Sequence, residues 1–197
     1  MGNPATYRTL DAEDFLAWER VQADRHHYVH GEIFAMAGGS PRHSFLASRM
    51  IVSLGSALGR GPCDAHGSDL RLGIDATHFV YADAVVACRP LELRPGSTDV
   101  VTNPTIVVEV LSKGTEAYDR GDKQAAYLAL GSLAHFVLVS QREPRVELYT
   151  RQADGSFRFT VHGPGSTIEL ERIGARLAVD ELYAAAFELP GDEPSAA

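Results

Sequence analysis

Apolar positions recur along this chain with two different periods, and each period predicts a type of element. The strongest helical pattern covers Pro41–Leu58, where apolar residues recur every three to four positions and a proline stands in the first turn. Gly59 follows it and predicts where this helix ends. Shorter helical patterns cover residues 9–20, Tyr118–Leu130 and Val179–Phe187.

Strand patterns fill much of the remaining chain. Thr105–Leu111 (TIVVEVL) is an almost continuous apolar run, which is typical of a strand buried on both faces. His135–Val139 repeats this character after the intervening helix, so the two strands are expected to be parallel neighbours. Further strands are predicted over Ala65–Ile74 and Phe79–Cys88.

Two hairpins complete the predicted elements. His26–Met36 turns around a glycine, and Arg145–Arg151 is joined to Ser156–Val161 through an Asp-Gly pair. The order of elements predicts an α/β or α+β domain: a mixed β-sheet flanked by helices, with an added N-terminal hairpin and a C-terminal hairpin.

Composition limits the classes of function. The net charge is -8 and no segment forms a basic stripe, so nothing predicts strong non-specific binding to nucleic acid. No run of about 18 apolar residues occurs, and the N-terminus lacks a signal-peptide layout, so we expect a cytoplasmic protein that does not enter membranes. Cys63 and Cys88 belong to no C-x-x-C pair, and we expect two free, buried thiols.

Nearly all cationic residues of this chain are arginines. Sixteen are arginine, and only Lys113 and Lys123 are lysine. An ammonium is a compact donor that can change protonation state, whereas a guanidinium is permanently charged. Both lysines are therefore candidates for chemistry, with chance retention as the alternative.

Two acids interrupt apolar strands. Glu109 lies within TIVVEVL and Asp83 within FVYADAVVA, and an ionised carboxylate is costly there unless it is paired or binds a metal. If the strands are adjacent, both acids face one cleft and suit Mg²⁺ or Mn²⁺. The alternative is that each pairs with a buried arginine.

Other polar residues could reach the same cleft. Lys123 follows on the next helix and could neutralise charge on a phosphoryl group, unless it is merely a solvent-exposed helix lysine. Lys113, in the loop after the strand, is its rival. Glu32, His43 and Asp69 are additional candidates as ligands or proton carriers, each with a purely structural alternative.

Several local motifs, in order along the chain, resemble a known family. They are YVHGEIFAMAGGSPRHS, GSDLRL, YADAVV, NPTIVVEVLS, YDRGDKQAAY and HFVLVSQREPRVELY. Together they resemble the Uma-type restriction endonuclease family, a branch of the PD-(D/E)XK nuclease superfamily. The resemblance implies a restriction-endonuclease-like fold. We expect one nuclease-like domain over residues 1–189, and the polar composition of residues 190–197 predicts a disordered tail.

The resemblance also implies site residues and a reaction. The metal-binding Asp falls on Asp83 and the Glu on Glu109, and both are implied to act in metal-dependent phosphodiester hydrolysis. The usual lysine position, two residues after the Glu, is Leu111 here, and Lys123 on the following helix is the expected replacement. The usual proline is replaced by Ala82.

The resulting hypothesis is a Mg²⁺- or Mn²⁺-dependent DNA endonuclease. Asp83, Glu109 and the carbonyl of Val110 would hold the metal, and Lys123 would orient or activate the attacking water. A homodimer is implied by the resemblance alone. Two alternatives stay open: a nuclease-like fold used as a binding or regulatory module, and a metal-dependent hydrolase of a smaller phosphoester.

Overall fold

The computed structural model describes residues 10–36 and 38–192. The described residues form five α-helices and thirteen strands. The helices are α1 (Ala12–Glu19), α2 (Pro41–Leu58), α3 (Glu116–Arg120), α4 (Asp122–Ala129) and α5 (Val179–Tyr183). The strands are β1 (His26–Val29), β2 (Glu32–Ala35), β3 (Cys63–Gly67), β4 (Arg71–Asp75), β5 (His78–Tyr81), β6 (Ala84–Cys88), β7 (Val100–Val101), β8 (Pro104–Leu111), β9 (His135–Ser140), β10 (Val146–Arg151), β11 (Phe157–His162), β12 (Thr167–Leu170) and β13 (Ala175–Ala178).

The strands form two main sheets and a small hairpin. The larger sheet has six strands in the order β11-β10-β9-β8-β6-β3, and the smaller has five in the order β2-β1-β5-β4-β7. β8 and β9 are parallel, as predicted for two buried strands joined through helices, and most other pairs are antiparallel. Strands β12 and β13, which no sequence pattern predicted, form the third, two-stranded sheet.

Strand β8 forms the centre of the core, and all eight of its residues are buried. Its alternate side chains face opposite layers. Ile106 and Val108 pack with helix α2, and Val107 packs with Tyr127 of helix α4. Glu109 is on the same face as Val107, because side chains two apart on a strand point the same way. Its carboxylate is therefore directed under helix α4.

Helix α2 has the bounds that its pattern predicted. Ser40 caps it by accepting a hydrogen bond from the His43 N–H at 3.2 Å, and Pro41 occupies the first position, where a missing N–H costs nothing. At the other end Gly59 has φ 56°, which favours glycine. The Ser40 cap therefore binds the main chain of His43 directly and places this residue in the first turn.

The predicted helix over 118–130 divides into α3 and α4 at Gly121. A Cβ atom at this position would lie 2.9 Å from the carbonyl oxygen of Ala117, which is too close. Only glycine fits this break, and the break places Lys123 in the first turn of α4 rather than in mid-helix.

Two predicted strands are wrong in extent. Residues 65–74 form parts of β3 and β4, and residues 79–88 form parts of β5 and β6. In each case the two strands belong to different sheets. The apolar pattern continues across the junctions because both sheets are buried, so it does not reveal the change of sheet. Asp83 thus lies between two strands and not within one.

The expectation of two free thiols is also wrong. Cys63 and Cys88 form a disulfide, because β3 and β6 are antiparallel neighbours in which these two residues are direct partners. The pairing of β3 with β6 is a tertiary feature that the spacing of the cysteines does not predict. Of the predicted disordered tail, residues 193–197 lie outside the described residues.

Candidate active site

Asp83 lies where the chain passes from one sheet to the other, between β5 and β6. Its Oδ2 accepts the main-chain N–H of Val110 at 2.7 Å. In the antiparallel pairing of β6 with β8, Ala84 is opposite Val108, so Asp83 comes next to Glu109. The two acids therefore meet, as the sequence predicted, although Asp83 lies just before β6 and not within a strand.

Glu109 is only 3% exposed. One of its oxygens, Oε1, lies 2.8 Å from Lys123 Nζ and accepts a hydrogen bond from the Tyr127 hydroxyl, also at 2.8 Å. Lys123 is thus a buried partner of the carboxylate and not a solvent-exposed helix lysine. Helix α4 supplies both contacts, because positions 123 and 127 are four residues apart and share one face.

Asp119 is a further acid in this cluster, and no sequence argument singled it out. Its Oδ1 lies 3.6 Å from Lys123 Nζ, and its Oδ2 accepts a hydrogen bond from Thr115 Oγ1 at 2.6 Å. The signal that could have found it is its spacing of four residues from Lys123. The site thus combines three carboxylates, from Asp83, Glu109 and Asp119, with one ammonium.

His43 contacts the site from helix α2. Its Nε2 lies 3.4 Å from Asp83 Oδ2. The start of α2 is held in place by Gln141, whose Oε1 accepts from the Ser40 hydroxyl at 2.8 Å and whose Nε2 donates to the Leu111 carbonyl at 3.0 Å. Gln141, which the sequence did not indicate, therefore ties the helix carrying His43 to the end of β8.

The protonation states follow from burial and neighbours. Burial raises the pKa of Glu109 to about 8, with Asp83 and Asp119 adding to the effect and Lys123 opposing it. Burial also raises the pKa of Asp83, but His43 and the Val110 N–H outweigh it, so that pKa is lowered overall. Burial lowers the pKa of His43, yet Asp83 and Glu109 reverse this and raise it.

The charge on Lys123 is similarly maintained. Burial lowers the pKa of its ammonium, but Glu109, Asp119 and Asp83 together outweigh burial and raise it. Lys123 therefore stays protonated at neutral pH. The pKa of Glu109 is raised chiefly because burial disfavours its charged form, and the Lys123 ammonium offsets that cost only in part.

The donor set fits a hard divalent cation. Asp83, just before β6, and Glu109, in the adjacent strand β8, offer carboxylate oxygens, and the main chain of Val110 forms hydrogen bonds with Asp83 and His43. Oxygen donors of this kind are the ligands that Mg²⁺ and Mn²⁺ prefer. Burial raises the pKa of Glu109 to about 8, so its carboxyl keeps a proton at neutral pH in the metal-free chain, and a bound cation would favour the ionised form.

A cleft of about 950 Å³ opens onto this site, with Asp83 and His43 in its wall. Three arginines also line it: Arg20, Arg25 and Arg71. Each is paired with an acid: Arg20 and Arg71 contact Asp99 at 2.9 and 3.0 Å, and Arg25 contacts Asp69. The cleft is therefore lined by paired charges and not by a bare basic track.

Three predicted candidates lie outside the cluster. Asp69 is exposed at the rim of the cleft, where it pairs with Arg25. Lys113 is exposed in the loop after β8, where its N–H binds Asp192. Glu32 is exposed at the start of β2 in the other sheet. Of the additional candidates, only His43 joins Asp83.

Comparison with known proteins adds the family. A sequence model of the Uma2 family, described as "Putative restriction endonuclease", matches residues 12–180. The chain belongs to the Uma2 family. This confirms the resemblance found in the motifs. The catalytic and metal-binding roles of individual residues are not tested by the match and stay predictions.

Relatives and a solved structure agree with this membership. Two uncharacterized proteins from Synechocystis sp. are 37% and 29% identical, over 91% and 84% of this chain and 94% of each relative. A crystal structure of a "putative nuclease belonging to DUF820" from Anabaena variabilis matches with a TM-score of 0.71. It is 17% identical, and the match covers 90% of this chain and 99% of that one. The predicted nuclease-like mixed fold is thereby confirmed for this Uma2 family member.

Among the described residues, no helix combines the length and the apolar character that a bilayer span requires.

Proposed function

We propose that this Uma2 family member is a DNA endonuclease of the PD-(D/E)XK type, which hydrolyses phosphodiester bonds with Mg²⁺ or Mn²⁺. The observation that carries the proposal is the meeting of Asp83, Glu109 and Lys123, with Lys123 Nζ 2.8 Å from Glu109 Oε1. Membership in a family described as "Putative restriction endonuclease" supports the same reaction class.

Each residue of the proposed site has a separate chemical role. Asp83, Glu109 and the carbonyl of Val110 would hold the cation, which when bound supplies positive charge against the charge that develops on the phosphoryl oxygens. Lys123 stays protonated, so it orients the attacking water and stabilises negative charge as a fixed ammonium and does not act as a base. Tyr127 fixes the Glu109 carboxylate by donating to Oε1.

His43 adds a proton donor at the cleft wall. In the metal-free chain Asp83 and Glu109 raise the pKa of this imidazole, and its Nε2 lies 3.4 Å from Asp83 Oδ2. A protonated imidazole facing the cleft can donate to the leaving oxygen of the cleaved strand. Because Gln141 holds the start of helix α2, this donor is positioned before substrate binds.

The alternative of a binding module is favoured by one observation. Arg20, Arg25 and Arg71 are already paired with aspartates in the cleft, and the chain carries a net charge of -8. Binding a polyanion would need these pairs to open, which weakens association. The same observation suits a smaller phosphoester as substrate.

Cleavage of supercoiled plasmid with Mg²⁺ or Mn²⁺ tests the proposal. Asp83→Asn and Lys123→Ala should abolish metal-dependent cutting, whereas Asp69→Asn and Lys113→Ala are matched controls outside the cluster and should retain it. Cutting that survives Asp83→Asn contradicts the site. If the wild type binds Mn²⁺ but cuts nothing, the binding module is correct, and hydrolysis of only a small phosphodiester would favour the third hypothesis.

A homodimer and a cytoplasmic location belong to the same proposal. Two copies would allow both strands of a duplex to be cut, and sedimentation of the wild type at micromolar concentration measures the assembly. The cytoplasmic prediction meets one opposing feature, because disulfides such as Cys63–Cys88 are favoured in oxidising compartments. Alkylation of thiols in freshly lysed cells tests whether this disulfide forms there.

A further inference from the structure

The tips of two hairpins meet at one end of the five-stranded sheet. The β1–β2 turn contributes His30, and the β4–β5 turn contributes Asp75 and His78. One nitrogen of each imidazole and one oxygen of Asp75 all lie within 4.8 Å of one another. This cluster of two histidines and one carboxylate is separate from the acids around Glu109, and the proposed nuclease does not use it.

Thr77 orients two of the three side chains. Asp75 Oδ1 accepts the Thr77 N–H at 2.7 Å and lies 3.2 Å from Thr77 Oγ1, which in turn lies 2.9 Å from His30 Nδ1. In the tautomer in which the hydroxyl donates to Asp75, its oxygen accepts from His30 Nδ1–H and the lone pair of His30 Nε2 is free to bind a metal. Metal-binding histidines typically have this arrangement, in which the other ring nitrogen donates to a fixed partner.

His78 brings a buried and incompletely bonded imidazole. The residue is 6% exposed, and its Nε2 is buried without a hydrogen-bond partner among the described residues. A buried nitrogen with no partner is unfavourable unless something compensates it. Burial also lowers the pKa of His78, which keeps the imidazole neutral, and the neutral form is the one that binds metals.

The backbone around His30 fixes the position of its side chain. His30 has φ 49° and the next residue, Gly31, has φ 96°, so both positions of this two-residue turn are left-handed. Asparagine or glycine is the usual choice for the first position, and histidine is one of the few other residues that adopt this conformation more often than most. The main-chain N–H of His30 binds the Thr77 carbonyl at 2.8 Å, which fixes the turn against its neighbour.

We propose that His30, Asp75 and His78 form a second metal site, one that takes Zn²⁺ or a similar divalent transition metal. Two imidazoles and one carboxylate are the donors that such ions prefer over Mg²⁺. Three protein ligands leave a tetrahedral position for water. The site joins the β1–β2 turn to the β4–β5 turn, so bound metal pins the two hairpin tips together. This inference does not depend on the proposed nuclease activity.

Calorimetric titration of the full chain with Zn²⁺, after removal of metals with a chelator, measures the site. We expect one Zn²⁺ per chain. His30→Asn should abolish this binding while keeping the fold, because asparagine accepts the left-handed turn. Thr77→Val removes only the orienting hydroxyl and should weaken binding by about 10- to 100-fold. His162→Asn, which changes a histidine in the other sheet, should leave the affinity unchanged.

Co²⁺ provides a second readout, since nitrogen ligands give it visible absorption that differs from that of an all-oxygen site. The Asp83→Asn chain should bind Zn²⁺ and Co²⁺ as the wild type does, which separates this site from the proposed catalytic one. Zn²⁺ should also raise the melting temperature of the wild type but not that of His30→Asn. Absence of Zn²⁺ binding overturns the proposal. Binding that persists in His30→Asn, or that disappears only in Asp83→Asn, overturns it equally.

Discussion

Two glutamates in the six-stranded sheet are both almost fully covered, yet Glu147 meets partly exposed arginines and Glu109 meets a buried lysine. Glu109 in β8 is 3% exposed and Glu147 in β10 is 4% exposed. Glu147 binds Arg120 through both carboxylate oxygens, at 2.5 and 3.1 Å, and Arg145 at 3.0 Å. Burial raises the pKa of Glu147, but these guanidiniums outweigh it and lower the pKa overall. Glu109 has one ammonium and one phenol, and its pKa is raised to about 8.

The difference separates a structural acid from one suited to bind a cation. Two arginines supply more positive charge and more donors than Glu147 needs, so nothing further is required there. Glu109 shares its single lysine with Asp119 and lies beside Asp83, so the ammonium does not offset the cost of burying its charged form. The interpretation that a buried acid pairs with arginine holds for Glu147 and is wrong for Glu109.

The largest expected effect comes from removing the ammonium. Lys123→Met leaves Glu109 and Asp119 buried without their cation, and losing one partner of a buried pair costs about 3–5 kcal/mol. We expect that loss in the free energy of unfolding, measured by urea denaturation without metal. Lys113→Met changes the other, exposed lysine and should stay within about 0.5 kcal/mol. Equal losses of stability in Lys123→Met and Lys113→Met would contradict the assignment of Lys123 as the buried ion-pair partner.

A double substitution tests whether the pair exists for function and not for stability. Glu109→Leu combined with Lys123→Met removes both charges, and replacing a buried ion pair with apolar groups is often neutral or stabilising by about 1–4 kcal/mol. We expect the double variant to regain most of the stability lost in Lys123→Met and to show no metal-dependent cleavage. A double variant as unstable as the single one would contradict this.

Glu147→Gln should cost stability without affecting metal binding. It removes the charge that Arg120 and Arg145 bind, and hydrogen bonds to charged groups are worth about 1.5–3 kcal/mol. Urea denaturation measures the loss, and Mn²⁺ titration should give the wild-type affinity. A lost Mn²⁺ affinity would mean that the two glutamates are not independent.

In metal-free protein, the contributions of the two glutamates to the free energy of unfolding should change with pH in opposite directions. Between the ordinary pKa of 4.5 and about 8, only folded Glu109 keeps its proton, so its contribution to stability falls as pH rises, by about 1.4 kcal/mol per pH unit. Glu147 has a lowered pKa, so its contribution is present above the ordinary value and is lost as pH falls through the folded pKa. The stability difference between wild type and each Glu→Gln variant, measured from pH 3 to pH 8, should slope in opposite directions. If both stability differences change with pH in the same direction, Lys123 stabilises the charged form of Glu109 as fully as the arginines stabilise that of Glu147.

The apolar pattern predicted the central elements well because their periodicity is strong. Helix α2 has its predicted bounds, and β8 and β9 are parallel as expected for two fully apolar runs. The pattern failed where one apolar run serves two sheets, at residues 65–74 and 79–88. The apolar pattern of a buried run is the same in either sheet. It therefore cannot show where the chain passes from one sheet to the other, and it predicts Asp83 within a strand.

By itself, the sequence determined which residues could carry charge into the core. An acid within TIVVEVL and a lysine retained among sixteen arginines are visible without coordinates. Only the tertiary structure decided how these charges are compensated, because that depends on distances between residues far apart in the chain. It added Asp119, Tyr127 and Gln141, excluded Glu32, Asp69 and Lys113 from the cluster, and joined Cys63 to Cys88. Local patterns decide which side chains are buried, whereas the folded chain decides what each buried charge meets.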